Sequence, residues 1–306
     1  MTDIIGIGAS VFDTLMLAEG FPPEDTKMQA MQTMTQGGGP CATALVAAAR
    51  LGVSAAYLGN LGDDSYGRFM RADFEKYGVD TSLIATKPGC VSFHSFVLLN
   101  TQKSTRTILW NKGTVPAPLP GDVDLSAVGK AKVLHLDGHQ LDAAIYAARH
   151  ARKNGVKVSL DAGGTYPGIE QLLPFVDFLI PSEEFALKIT GQRDAQSAAR
   201  SLMSQYHPQF VVVTQGSRGG FLYDGSEFSR YACYPVDVID SCGAGDVFHG
   251  AFLAAWIRGG MKPIDCCRFA SAVSALKCTH FGARDGIPSY ERTMAFLHER
   301  EKEMEA

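Results

Sequence analysis

From about Lys130 onward the chain takes up a rhythm that few folds can accommodate. Short apolar runs that read as strands take turns with longer runs that read as helices. KVLHLDG is strand-like and LDAAIYAARHARKNG helix-like. VKVSLDAGG and VDFLIPS are strands, EEFALKITG is a helix, and FVVVTQGSRGG is a strand running into a glycine-rich turn. GDVFHGAFLAAWIRGG and DCCRFASAVSALKCTHFG then read as two packed helices. Consecutive parallel strands need a crossover, usually helical, and the helices end up covering both faces of the sheet. The fold class is therefore α/β with a mostly parallel central sheet. The N-terminal part fits the same rule: DIIGIG is a strand, CATALVAAARLG and SYGRFMRADFEKYG are helices, each closed by glycine, and SAAYLGNLG is strand and turn.

Two stretches break the rhythm, Val11–Gln36 and Cys90–Gly113. The second alternates and reads as a hairpin around NTQKS. Together they predict a small β subdomain, or lid, joined to the α/β core within one domain spanning residues 1–306. VPAPLPGDVD is a proline-rich connector.

Composition narrows the function classes. Lys and Arg number 28 against 32 Asp and Glu, a net charge of −4, which leaves no basic footprint for nucleic acid. A small anionic ligand needs only a local positive field and stays possible. Seven cysteines, an odd number with no CxxC pair, argue against a disulfide framework and for a reducing compartment. The opening MTDIIGIGAS lacks a basic leader, and no apolar run nears the roughly 18 residues of a membrane span. The expectation is a cytoplasmic protein.

Three glycine-rich segments fall where ligand loops of an open parallel sheet belong, beyond the carboxyl ends of strands. They are GGGPCATA, TQGSRGG and the GAGD of DSCGAGDVFHGAF. Glycines before a helix leave backbone N–H groups uncovered, and the helix start favours anions, so GAGD reads as an anion site with a carboxylate beside it. GIGASV starts like a dinucleotide fingerprint, but Val11 stands at the third glycine, and GxxxxGK[ST] is absent. His135 and His139 are placed poorly for one metal, and Cys266, Cys267 and His249 read as packing residues.

In combination these segments resemble the PfkB, or ribokinase-like, carbohydrate kinase family over nearly the whole chain. DSCGAGDVFHGAF is similar to the family's C-terminal signature and GGGPCATALVAAARLG to its N-terminal one. GNLGDDSYG and VVVTQGSRGG resemble two segments between them. The resemblance implies an αβα three-layer sandwich with a β lid, and ATP-dependent phosphorylation of a sugar hydroxyl with Mg²⁺. It implies Asp246 as general base, and the amides of Gly243, Ala244 and Gly245, joined by Cys242, as an anion hole. It places Asp13, Gly38 and Gly39 at the sugar, with Lys27, Asn111 and His139 nearby. Ser182, Thr214, Gly216 and Gly219 fall on the nucleotide side. Asp240 and Cys242 match a loop that holds a monovalent cation such as K⁺ in some members. Where the family often carries N-x-x-E for the Mg²⁺ shell, this chain has Ser182 and Phe185, leaving Glu183 or Glu184 as substitutes, and Ala42 replaces a usual substrate-facing Asn.

The branch most resembled is that of ketohexokinase and sulfofructose kinase, on GGGPCATALVAAARLG, GDVFHGAF and ALKCTHFGARDGIP. A ketose-like sugar is the resulting expectation, with a homodimer formed through the lid. A nucleoside kinase is the alternative, with Phe12, Phe93, Phe96 or Trp110 against a base. A sugar- or nucleotide-binding protein without catalysis is the third reading, disfavoured by the intact GAGD.

Overall fold

A computed structural model describes residues 2–103 and 105–305. In chain order the strands and helices are β1 (Ile4–Ile7), β2 (Val11–Ala18), β3 (Gln32–Gly38), α1 (Pro40–Arg50), β4 (Ala55–Tyr57), β5 (Gly59–Gly62) and α2 (Ser65–Lys76). There follow β6 (Ile84–Lys87), β7 (His94–Asn100), β8 (Thr105–Asn111), α3 (Leu125–Val128), β9 (Val133–Leu136), α4 (Leu141–Lys153), β10 (Lys157–Ala162), β11 (Phe178–Pro181), α5 (Glu183–Thr190) and α6 (Ala195–Tyr206). The chain closes with β12 (Phe210–Thr214), β13 (Gly220–Tyr223), β14 (Phe228–Tyr231), α7 (Ala244–Arg258), α8 (Pro263–Cys278) and α9 (Tyr290–Glu305).

Eight strands form the central sheet in the order β14-β13-β12-β11-β10-β9-β1-β4. The six from β12 to β4 are parallel, and β13 and β14 add an antiparallel edge. Strands β1, β9 and β11 are buried along their whole length, as a sheet covered on both faces requires. Neighbouring residues then serve opposite cores. Ile4, Val133, Phe178 and Phe210 face α1, α2, α7 and α8, while Ile5, Leu134, Leu179 and Val211 face α4, α5 and α6. This period-2 division makes the three layers.

A second sheet, β3-β2-β7-β8, comes from the two stretches that interrupted the alternation. Its central pair, β2 and β7, is parallel, and the outer pairs are antiparallel. Strands β5 and β6 form a small parallel pair of their own. The β13–β14 hairpin, α3, α6 and α9 were not separated by sequence reading. α6 and α9 are short of large apolar residues, so the periodic signal is weak there. Among the described residues no helix is long and apolar enough to cross a membrane.

Helices α1 and α7 lie against one another almost backbone to backbone. A Cβ added at Gly250 would sit 2.0 Å from the Ala44 carbonyl oxygen and 2.8 Å from Ala47 Cβ. In an unobstructed helix, replacing glycine by alanine stabilises by about 0.5–1 kcal/mol. Here Gly250→Ala is expected to destabilise by about 1–3 kcal/mol through overpacking. Differential scanning calorimetry checks this, since an unchanged or raised Tm would mean the two helices are not in contact as described.

Candidate active site

The start of α7 is shaped by what the loop before it satisfies and what it leaves open. Asp240 is buried; its Oδ1 accepts from Cys242 N–H at 2.8 Å and its Oδ2 from Gly282 N–H at 2.9 Å. Gly243 is the N-cap in the left-handed region, at φ 73°, where a Cβ would also lie 2.7 Å from Ala283 Cβ. Ala244 N–H turns back to Ser241 O at 3.2 Å, and Val247 N–H bonds to Gly243 O at 2.9 Å. No protein acceptor is found for the Gly243 and Gly245 amides among the described residues. This corrects the expected four-amide set, because Cys242 and Ala244 already donate within the loop.

Asp246 sits in the first turn, half-buried. Burial pushes its carboxyl up to about 7; the neighbouring Asp161 adds to the rise, and His249 opposes it. His249 in turn contacts Asp161, Nε2 to Oδ1 at 3.2 Å. A carboxylate poised near neutral pH in a cavity suits proton abstraction.

Two cavities meet at this helix start. One, of about 630 Å³, is lined by Asp13, Gly38, Gly39, His139, Cys242, Gly243 and Asp246. The other, of about 500 Å³, is lined by Thr214, Gly216, Gly219, Ala244 and Gly245 together with Tyr231, Phe248 and Ala275. Residues expected at a sugar and residues expected at a nucleotide thus line different cavities, with the GAGD turn between them.

Asp13 comes from β2, where it pairs with Gln36 of β3, and its side chain reaches toward Gly38 two residues on. The approach is close enough that a Cβ on Gly38 would fall 1.8 Å from Asp13 Oδ2. Ser95 Oγ donates to Asp13 Oδ1 at 2.6 Å. Burial raises the Asp13 carboxyl to about 6, against the lowering effects of Ser95 and the Arg284 guanidinium. Arg284 is fully buried: Nη1 pairs with Asp73 and Nη2 donates to Gly38 O at 3.1 Å. It therefore supports the Gly37–Gly39 loop from behind.

The opposite wall depends on Asp137. Its Oδ2 accepts from Ala9 N–H at 2.8 Å and Cys41 N–H at 3.1 Å, and its Oδ1 from His139 N–H at 3.0 Å. The His139 ring lies with Nδ1 3.3 Å from Asp137 Oδ1. Burial works against a charged His139, but the Asp137 carboxylate outweighs it and raises the imidazole above its ordinary value.

Several expected residues stand elsewhere. Lys27 is exposed on the loop between β2 and β3 and does not line the cavity. Asn111 is exposed at the end of β8, its Oδ1 accepting from Gly113 N–H at 2.9 Å. Ser182 caps α5, accepting from Phe185 N–H at 3.1 Å, and does not line the nucleotide-side cavity. Glu183 is held by Gln215 Nε2 at 2.8 Å and by Arg218, while Glu184 is exposed. Among the described residues no group of three or more His, Cys, Asp or Glu is placed to hold a metal ion. The Asp240–Cys242 loop does not offer the expected monovalent-cation place, because the carbonyls of both residues accept from the Lys277 ammonium. Sequence reading missed Arg106 and Lys112, both of which line the sugar-side cavity, as well as Asp137, Arg284 and Lys277. Of the aromatics expected against a base, Phe93 and Trp110 line that cavity, whereas Phe12 stacks on Tyr66.

Residues 1–289 match the pfkB family carbohydrate kinase. The ribokinase of Haemophilus influenzae is 31% identical over 270 residues, 85% of this chain and 87% of that protein. The ATP-dependent ribose-1-phosphate kinase of Halopiger xanaduensis is 27% identical, covering 98% of this chain and 99% of the relative. The structure of Arabidopsis thaliana ribokinase complexed with ribose and ATP superposes with a TM-score of 0.84 at 26% identity, over 97% of this chain and 99% of that one. With the ribokinase-like α/β fold, the two cavities and this match across its length, the chain belongs to the pfkB family of carbohydrate kinases, phosphotransferases that act on an alcohol group.

Proposed function

We propose that the protein transfers a phosphoryl group from ATP to a hydroxyl of a small sugar, with a pentose as the first candidate. The observation that carries this reading is the meeting of two cavities at one helix start that holds both an ionisable carboxylate and unpaired amides. The sugar sits in the cavity of Asp13, Gly38 and Gly39, and the nucleotide in that of Thr214, Gly216 and Gly219. Asp246 takes the proton of the attacking hydroxyl. The Gly243 and Gly245 amides meet the charge that develops on the transferring group, a task that calls for positioned donors more than covalent chemistry. Magnesium supplies charge neutralisation on the nucleotide phosphates when bound. No residue is assigned to hold it, Glu183 being engaged by Arg218 and Gln215. The names of the relatives favour ribose over a ketose. Arg106 and Lys112 on the sugar-side cavity favour a second reading, a sugar monophosphate as acceptor. The exposed Ile108, Leu109 and Trp110 on the edge strand β8 support pairing of two copies through the β2–β3–β7–β8 sheet. ADP release with ribose, deoxyribose, ribose 1-phosphate, fructose and a nucleoside tests the assignment, and no turnover with any of them would overturn it.

Asp246→Asn should cut turnover by about 10²–10⁴-fold while ATP binding persists. In the wild type, kcat/KM should fall as pH drops through about 7, because the base works only when ionised. A pH profile flat down to the ordinary carboxylate range would remove Asp246 from this role.

Gly245 faces open space, with nothing within 4 Å of an added Cβ. Gly245→Val keeps its N–H but puts an isopropyl group into the cavity that Gly245 lines, so it is expected to stay folded, by circular dichroism, and to lose about 10²–10³-fold in kcat, the scale of a displaced oxyanion-hole donor. Unchanged kinetics would show that the phosphates lie elsewhere.

Asp13 offers a charged acceptor to sugar hydroxyls, worth about 1.5–3 kcal/mol per bond. Asp13→Ala should raise the sugar KM by about 10–100-fold, with ATP affinity by calorimetry hardly moved. If ATP affinity collapses instead, Asp13 serves the nucleotide.

A further inference from the structure

We infer that Lys277 is a built-in cation that orients the phosphoryl-facing amides of α7, so that this kinase works without a monovalent metal ion. The inference rests on reading the α7 start as the phosphoryl site. Lys277 lies in α8 and is 0% exposed. Its Nζ donates to the Asp240 carbonyl at 2.8 Å and to the Cys242 carbonyl. No carboxylate pairs with it among the described residues. A buried ammonium is costly unless its surroundings supply oxygen acceptors, and here backbone carbonyls supply them.

The consequence follows from peptide geometry. A trans peptide is planar, with its C=O and N–H pointing in opposite directions. Drawing the Cys242 carbonyl toward α8 therefore turns the Gly243 N–H away from α8. One turn earlier on α8, Ser274 Oγ donates to the Ala244 carbonyl at 2.7 Å, and the same argument aims the Gly245 N–H. Both amides, like that of Asp246, have no protein acceptor among the described residues. A hydrogen bond to the carbonyl also polarises the amide on its far side, strengthening it as a donor. Potassium and ammonium are similar in size, and both are satisfied by carbonyl oxygens. A metal ion seated on the Asp240 and Cys242 carbonyls would have to displace a covalently tethered competitor.

The test is turnover of the full-length protein with its best sugar. The assays run first in tetramethylammonium salts and then with potassium chloride added. Wild-type kcat is expected to be the same in both. Lys277→Ala should lose about 10²-fold in kcat, the scale of a misplacement on the order of 1 Å, with little change in sugar KM. Potassium or methylammonium should restore part of that loss, and tetramethylammonium should not, an outcome that loss of packing alone would not produce. A potassium requirement in the wild type, full activity in the variant, or a loss that no small cation repairs would each overturn the inference. If the variant does not fold, the wild-type cation series still decides. The Gly243 amide cross-peak in ¹H–¹⁵N spectra gives a readout that needs no turnover: it should stay in place when potassium replaces tetramethylammonium, and a shift would count against Lys277. An inactive wild type, by contrast, would strike at the phosphotransfer reading.

Discussion

Three backbone amides from distant parts of the chain converge on the carboxylate of Asp137. They belong to Ala9 just after β1, Cys41 at the start of α1, and His139 beyond β9. Burial alone would push such a carboxyl up, but His139 and these donors hold it below its ordinary value, so it stays ionised inside the protein. Hydrogen bonds to a charged acceptor are roughly twice as strong as neutral ones. One side chain thus fixes the carboxyl ends of two central strands against the helix that opens the sugar-side loop. Arg284 does the corresponding work from the other side, joining Asp73 of α2 to the Gly38 carbonyl. The cavity between them is held by charge on both walls, which leaves the groups that face into it free for a ligand.

The two cavity carboxylates show how similar groups acquire different tasks. Asp13 is raised by burial but answered by Ser95 and Arg284, and its Oδ1 accepts from Ser95 Oγ. Asp246 is raised further, first by burial and then by Asp161, with His249 and Lys277 opposing. Burial lifts both groups and the neighbours add to or answer it, so two carboxyls in one cavity come to different values.

What could be read in the sequence was what is local. The alternation of strands and helices is carried by runs such as VLHL and FLIP, whose burial on both faces leaves no polar positions to confuse the pattern. The α7 start was legible because Gly-Ala-Gly-Asp has few other uses before an apolar helix. The supports behind the site were not. Arg284 and Asp73 are 211 residues apart, and Lys277 looks like an ordinary cation near a helix C-terminus until α8 is packed on the loop before α7. Glu183 looked available for a metal because its partner, Arg218, lies 35 residues on, beyond β12. Lys27 and Asn111 lie close in sequence to strands that line the cavity, yet both side chains are exposed, a direction the sequence does not carry.

The contact at Gly250 sets a mechanical reference for the enzyme. Helix α1 begins at the Gly37–Gly39 loop and α7 at the Gly243 turn, and the two touch with no side chain between them at Ala44. Packed interiors are stiff, and a junction this tight allows no sliding. On the proposed function, any motion that admits substrate is then expected of the smaller sheet rather than of the helix pair. The spacing between acceptor and donor loops then behaves like the jaws of a caliper locked at one setting: binding can close the cover over them, but it cannot change the gap.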